Sequence, residues 1–121
     1  MAKKVLVVDD EPDVLKIVCF RLKKAGYEVK TASDGKAALD LIEKDRPDLI
    51  LLDLRMPVMD GYEVCRKIKS DEKLGDTPII FITASSGATV KDKVREYKAD
   101  DYIIKPFEPE ELIAKVKKFI S

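Results

Sequence analysis

Four places in the chain hold side chains fit for chemistry, and each stands where an apolar run stops. Asp9 and Asp10 follow Val5-Leu6-Val7-Val8, and Asp53 ends Asp48-Leu49-Ile50-Leu51-Leu52-Asp53. Thr83 ends Pro78-Ile79-Ile80-Phe81-Ile82-Thr83, and Lys105 follows Asp101-Tyr102-Ile103-Ile104. Charges are seldom set beside a buried run without a partner. Three carboxylates drawn together repel by something on the order of several kcal/mol at an intermediate dielectric, and so call for a cation. Oxygen ligands with no His or Cys nearby select a hard ion, Mg²⁺ or Mn²⁺. Mg²⁺ keeps few protein ligands and commonly meets phosphate, for which the Lys105 ammonium and the Thr83 hydroxyl are suitable partners. A carboxylate in such company can attack phosphorus as a nucleophile. Taken singly, each residue has a plainer explanation. Asp53 can be a turn residue or a cap, Asp9 and Asp10 caps of the next helix, Thr83 an ordinary strand residue, and Lys105 a solvated one. The chemistry therefore depends on whether the fold gathers them.

The elements between these places alternate regularly. Val5-Val8 and the apolar runs within Asp48-Asp53 and Pro78-Thr83 read as strands buried on both faces. Glu28-Ala32 alternates in polarity and Asp101-Ile104 is short, so both suit sheet edges. The first helix runs from about residue 12 to Ala25, with Pro12 in its first turn. Leu15, Val18, Cys19, Leu22 and Ala25 share one face, and Gly26 closes it. Asp34 caps a second helix that turns Ala38, Leu41 and Ile42 inward up to Asp45. The third buries Val64, Cys65 and Ile68, and the fourth has only Val90, Val94 and Tyr97 to bury. The fifth carries Leu112, Val116 and Phe119 on one face, flanked by Ile113 and Ile120. A strand–helix unit of roughly 25 residues used five times specifies an α/β fold, a single doubly wound five-stranded parallel sheet, (βα)5. With right-handed crossovers and weak strands at the edges, the strand order is the flavodoxin-like 2-1-3-4-5. Ligands in such sheets bind outside the carboxyl ends of the strands, where strand order reverses. That rim is where Asp9, Asp10, Asp53, Thr83 and Lys105 all fall.

At 121 residues the chain is long enough for one domain, expected to span 1–121, and too short for two. The 23 Lys and Arg balance the 23 Asp and Glu, so no net field draws the chain to nucleic acid or membrane. No stretch approaches a membrane span and Met1-Ala2-Lys3-Lys4 is no signal peptide, which points to the cytoplasm. Cys19 and Cys65 have no CxxC spacing and are expected to be buried, reduced thiols. Histidine is absent, which removes His-based triads, most zinc sites and any phosphohistidine carrier role.

The sequence resembles the receiver domain of two-component response regulators over its whole length. The likeness is carried by Val7-Val8-Asp9-Asp10, Asp48-Leu49-Ile50-Leu51-Leu52-Asp53, Met56-Pro57-Val58-Met59-Asp60-Gly61, Thr83-Ala84, and the run Ala99-Asp100-Asp101-Tyr102-Ile103-Ile104-Lys105-Pro106-Phe107. The resemblance implies that Asp53 accepts a phosphoryl group from the phosphohistidine of a sensor kinase or histidine phosphotransfer protein. It implies Mg²⁺ held by Asp10, Asp53, the Arg55 backbone carbonyl and, through water, Asp9. Thr83 and Lys105 would contact the phosphoryl oxygens, and Lys105-Pro106 would be cis. Thr83 would move toward the phosphoryl group while Tyr102 turns inward. The surface of the fourth helix, fifth strand and fifth helix would change for an effector, an output domain or a phosphorylation-linked dimer. Arg55 and Ser85 stand at positions that tune phosphoryl lifetime in the family.

One departure is Lys98, where the family often has Gly before Ala-Asp-Asp, which suggests a looser turn after the fourth helix. Tyr102 also fits a half-solvated edge-strand aromatic. Ile17 and Phe20 point away from the inner face of the first helix, either as scattered apolar surface or as a dock for a helical partner. Such a module modifies only itself and turns over no external substrate. Three other readings are weaker. A haloacid-dehalogenase-like phosphatase needs an Asp two residues after its nucleophile, where Arg55 stands. A flavodoxin needs a phosphate-cradling first loop, which Asp9-Asp10-Glu11 would repel. A phosphorylation-independent interaction module normally lacks part of the acidic set.

Overall fold

Runs of β-branched and apolar residues make five parallel strands, and their pairing follows from how fully each is buried. The computed structural model describes residues 2–56, 59–84 and 87–120, with the backbone alone at 87 and 88. Along the chain lie β1 (Lys4–Val8), α1 (Pro12–Lys24), β2 (Glu28–Ala32), α2 (Gly35–Lys44) and β3 (Leu49–Asp53). These are followed by α3 (Gly61–Lys69), β4 (Ile79–Thr83), α4 (Gly87–Tyr97), β5 (Asp101–Ile104) and α5 (Pro109–Ile120). The sheet order is β2-β1-β3-β4-β5, all parallel, as the sequence predicts. Every residue of β3 and β4 is buried, whereas β2 and β5 form the edges.

Period-2 alternation divides the strands between two cores. Val5, Val7, Leu49, Leu51, Ile80 and Ile82 face Val18 and Leu22 of α1 and Leu112 and Val116 of α5. Leu6, Val8, Ile50, Leu52, Ile79 and Phe81 face Ala38 and Ile42 of α2 and Val64, Cys65 and Ile68 of α3. Asp34 caps α2 through Ala37 N (2.8 Å), and Asp60 caps α3 through Glu63 N (2.9 Å).

Four expectations need correction. Ala25 is exposed because it is the α1 C-cap, its N–H bonded back to Arg21 and Leu22, and the chain turns at Gly26 with φ +99°. In α5 the inward stripe is Leu112, Val116 and Ile120, while Phe119 is only partly buried. The i, i+4, i+8 spacing from Leu112 reaches Ile120 rather than Phe119. Cys19 is half-buried at the border of α1's inner face, whereas Cys65 is fully buried, and both thiols are free. The turn after α4 is not loosened. Lys98 takes the left-handed conformation itself (φ +61°), and Ala99 N–H closes onto Val94 O at 3.0 Å.

Candidate functional site

β1, β3, β4 and β5 end together, and the register fixes which residues meet. Val8 pairs with Leu52 and Asp53 with Ile82. Asp9, one residue past β1, and Asp53, the last residue of β3, therefore stand side by side at the ends of neighbouring buried strands. Thr83 pairs with Ile104, and Lys105 N–H donates to Thr83 O at 2.7 Å, which brings Lys105 over the rim. The Lys105-Pro106 peptide is cis, as expected.

The geometry is a cluster of acids around one ammonium. Lys105 Nζ lies 2.8 Å from Asp9 Oδ2 and 3.6 Å from Asp53 Oδ2. Asp9 is wholly buried and Asp53 and Thr83 nearly so, while Asp10 is exposed. Oxygens of Asp9, Asp10, Glu11 and Asp53 all come within 4.8 Å of one another. Asp9 Oδ1 accepts from Glu11 N–H (2.9 Å), and Asp53 Oδ1 accepts from Arg55 N–H (3.3 Å). Asp9 Oδ2 is buried and has the Lys105 ion pair but no directed hydrogen bond among the described residues. One ammonium among four carboxylates leaves net negative charge. The all-oxygen donor set fits a hard divalent cation, so the residues present suit the Mg²⁺ expected here.

Electrostatics report the same crowding. Burial, followed by the charge of Asp9, pushes Asp53 up from 3.8 to about 7, with Lys105 opposing the shift. For Lys105, burial pulls downward, but the carboxylates of Asp9, Glu11 and Asp53 outweigh it and hold the ammonium above its ordinary range. Asp53 is thus a strained carboxylate in the metal-free protein. Among the groups that depart clearly from ordinary values, it is the one carboxyl raised into the neutral range.

The walls are tight on the α3 side. Gly61 N–H donates to Leu54 O at 3.2 Å, and a Cβ on Gly61 would stand 2.3 Å from Asp53 O. Only glycine lets α3 start so close to the Asp53 backbone. On the other side Ile17 is exposed and, with Pro106 and Phe107, lines an apolar groove that borders Glu11 and Lys105. Phe20 is exposed as well but does not line that groove.

The sequence-predicted residues do not all converge. Asp9, Asp10, Asp53 and Lys105 do, and Thr83 ends the neighbouring strand. Arg55 is exposed and meets Asp53 through its N–H. Tyr102 is half-buried and anchored to α5, its ring 5.0 Å below Lys115 Nζ and its N–H bonded to Asp101 Oδ1. Ser85 lies outside the described residues, as do Pro57 and Val58. Glu11 was missed as a site residue. Its carboxylate lies 2.8 Å from Lys105 Nζ, and the available signal was its place directly after Asp9-Asp10.

Comparison with known proteins gives one family. The model of the response regulator receiver domain matches residues 5–117. The chain is similar in structure to the chemotaxis protein CheY4 of Vibrio cholerae, with 35% identity, TM-score 0.93, and 99% and 100% of the two chains covered. It is similar to the receiver domain of the sensor histidine kinase PA1611 of Pseudomonas aeruginosa, which holds a magnesium ion in its active-site cleft. There the identity is 32%, the TM-score 0.89, and 99% and 98% of the chains are covered. The BeF3-activated receiver domain of DrrB shares 39% identity with a TM-score of 0.88, over 99% and 98% of the chains. Among the described residues, no helix is long and apolar enough to cross a membrane.

Proposed function

Because the chain belongs to the response regulator receiver family of two-component signalling, we propose that it is a phosphoacceptor switch written on at Asp53. The observation that supports this reading is the clustering of Asp9, Asp10 and Asp53 at the carboxyl rim, with Lys105 paired to Asp9 and Asp53. Asp10 and Asp53, with the Arg55 carbonyl and Asp9 at one remove, would hold Mg²⁺, or Mn²⁺ in its place. When bound, the ion supplies positive charge that lowers Asp53's pKa and offsets charge on the incoming phosphoryl group.

The residues divide the remaining work. A carboxylate oxygen of Asp53 attacks phosphorus, the P–N bond to the donor histidine breaks, and the departing imidazole takes up a proton. The product is an acyl phosphate on Asp53. Lys105, held above its ordinary pKa, stays charged throughout the physiological range and pairs with the phosphoryl oxygens. The Thr83 hydroxyl supplies a hydrogen bond to them, and its movement together with Tyr102 would carry the change to the α4–β5–α5 surface. That surface is the proposed contact for an effector, an output domain or a second copy. The groove at Ile17 and Phe107 is the proposed seat for the helical histidine-bearing donor in the cytoplasm. Arg55 and Ser85 would set access of water to the acyl phosphate. The whole chain acts as one receiver domain and turns over no external substrate.

The test is incubation with acetyl phosphate and Mg²⁺, followed by intact-mass spectrometry, with beryllofluoride titration followed by amide spectra. A single phosphoryl adduct lost with EDTA and in Asp53→Asn is expected. Modification that survives Asp53→Asn would overturn the assignment.

A further inference from the structure

Lys105 has more partners than a group awaiting a phosphoryl anion needs. Its ammonium lies 2.8 Å from both Asp9 Oδ2 and Glu11 Oε1, and 3.6 Å from Asp53 Oδ2. The two close partners differ in kind. The Asp9 side chain is fully buried, and losing its counter-ion would leave an unpaired internal charge. The Glu11 side chain is 59% exposed, so water can replace the ammonium at small cost. Only the side chain of Glu11 is free to move. Its N–H is bonded to Asp9 Oδ1, and its carbonyl accepts from Leu15 N–H at 3.1 Å as the first turn of α1 begins.

We propose that Glu11 is a positioning residue that holds Lys105 off Asp53 until a phosphoryl group arrives, then releases it. The inference rests on the phosphoacceptor reading of Asp53. Three oxygens of a phosphorylated Asp53 would outcompete one exposed carboxylate, and Lys105 would swing toward them while keeping Asp9. Glu11 then sets how readily the site accepts its phosphoryl group. The Lys105–Glu11 contact is a tax on phosphoryl binding about as large as an exposed ion pair, worth roughly two- to fivefold in affinity.

Two variants separate this pairing from the general field of the acids. Glu11→Gln removes the charge and leaves only a neutral amide oxygen as a weaker acceptor for Lys105, whereas Glu11→Asp keeps the charge but draws it back from Lys105 by one methylene. Asp13→Asn, in the same exposed first turn, removes a charge that Lys105 does not contact. At saturating Mg²⁺ for each protein, both Glu11 variants should bind beryllofluoride about two- to fivefold more tightly than the wild type. Asp13→Asn should match the wild type, and molar salt should erase the gain. In the metal-free protein, the Lys105 ammonium should exchange with water faster in both Glu11 variants, seen by nitrogen-15 spectra. Unchanged affinity in the Glu11 variants, unchanged ammonium exchange, or an equal gain in Asp13→Asn would overturn the role of Glu11. Failure of the wild type to bind beryllofluoride at all would instead overturn the phosphoacceptor reading, and the ammonium exchange would still decide whether Glu11 holds Lys105.

Discussion

Replacing Asp53 with Asn should stabilise the metal-free protein, and by an amount that depends on pH. In the folded chain Asp53 is raised from 3.8 to about 7 by burial and by Asp9. As pH rises through about 4, the unfolded chain releases this proton while the folded chain keeps it, so the unfolded state binds fewer protons. Stability therefore falls between about pH 4 and pH 7 and levels off above. Three pKa units at ~1.4 kcal/mol each give a ceiling of ~4 kcal/mol. The rim is open to water and Lys105 can adjust, so about 2 kcal/mol is the expected effect. Asn keeps an oxygen for the Arg55 N–H and removes the charge. In EDTA at pH 8, Asp53→Asn should gain about 2 kcal/mol, which is roughly 1 M in the urea midpoint. In thermal melts the same gain is about 8 °C for a chain of this size. At pH 4.5 the difference should shrink to within a few tenths of a kcal/mol, because wild-type Asp53 is then neutral in the folded state. Adding Mg²⁺ at pH 8 should raise the wild type toward the variant by mass action. Urea titrations followed by far-ultraviolet circular dichroism at the two pH values measure all of this. An Asp53→Asn protein no more stable than wild type at pH 8, or equally stabilised at both pH values, would refute the account of the strained carboxylate.

Substitutions at two further positions test the frame around the site. Lys98→Gly should stabilise by about 1 kcal/mol because φ +61° carries a steric cost for any residue with a Cβ; Lys98→Ala, measured in the same melts, should give no such gain. Gly61→Ala places a Cβ 2.3 Å from Asp53 O, so it should cost about 2 kcal/mol or more. Calorimetric Mg²⁺ titration should also show weakened binding in that variant, and intact affinity would mean that α3 can back away from Asp53.

Much of the fold was legible in the sequence because each strand declares its burial locally. Val5-Val8, Leu49-Leu52 and Ile79-Ile82 are apolar throughout, which only a strand covered on both faces tolerates, so they had to be central. Once five such units alternate with helices, the handedness of the crossovers leaves little freedom, and the positions of Asp9, Asp53, Thr83 and Lys105 at one rim follow. Errors came where a helix face had a close contest. Phe119 and Ile120 are adjacent, and only packing against the sheet showed that Ile120 completes the stripe.

What the sequence determined by itself was therefore which residues stand at the ends of which strands, and the chemistry their types allow. Tertiary structure decided how they pair. Lys105 is 94 residues from Glu11, and no local pattern shows that its ammonium lies 2.8 Å from that carboxylate but 3.6 Å from Asp53. Tertiary structure also decided that Lys98 supplies a left-handed turn without glycine and that Gly61 lies against the Asp53 backbone. Periodicity is a property of neighbours along the chain, whereas ion pairs and close approaches depend on the register between strands and helices distant in sequence.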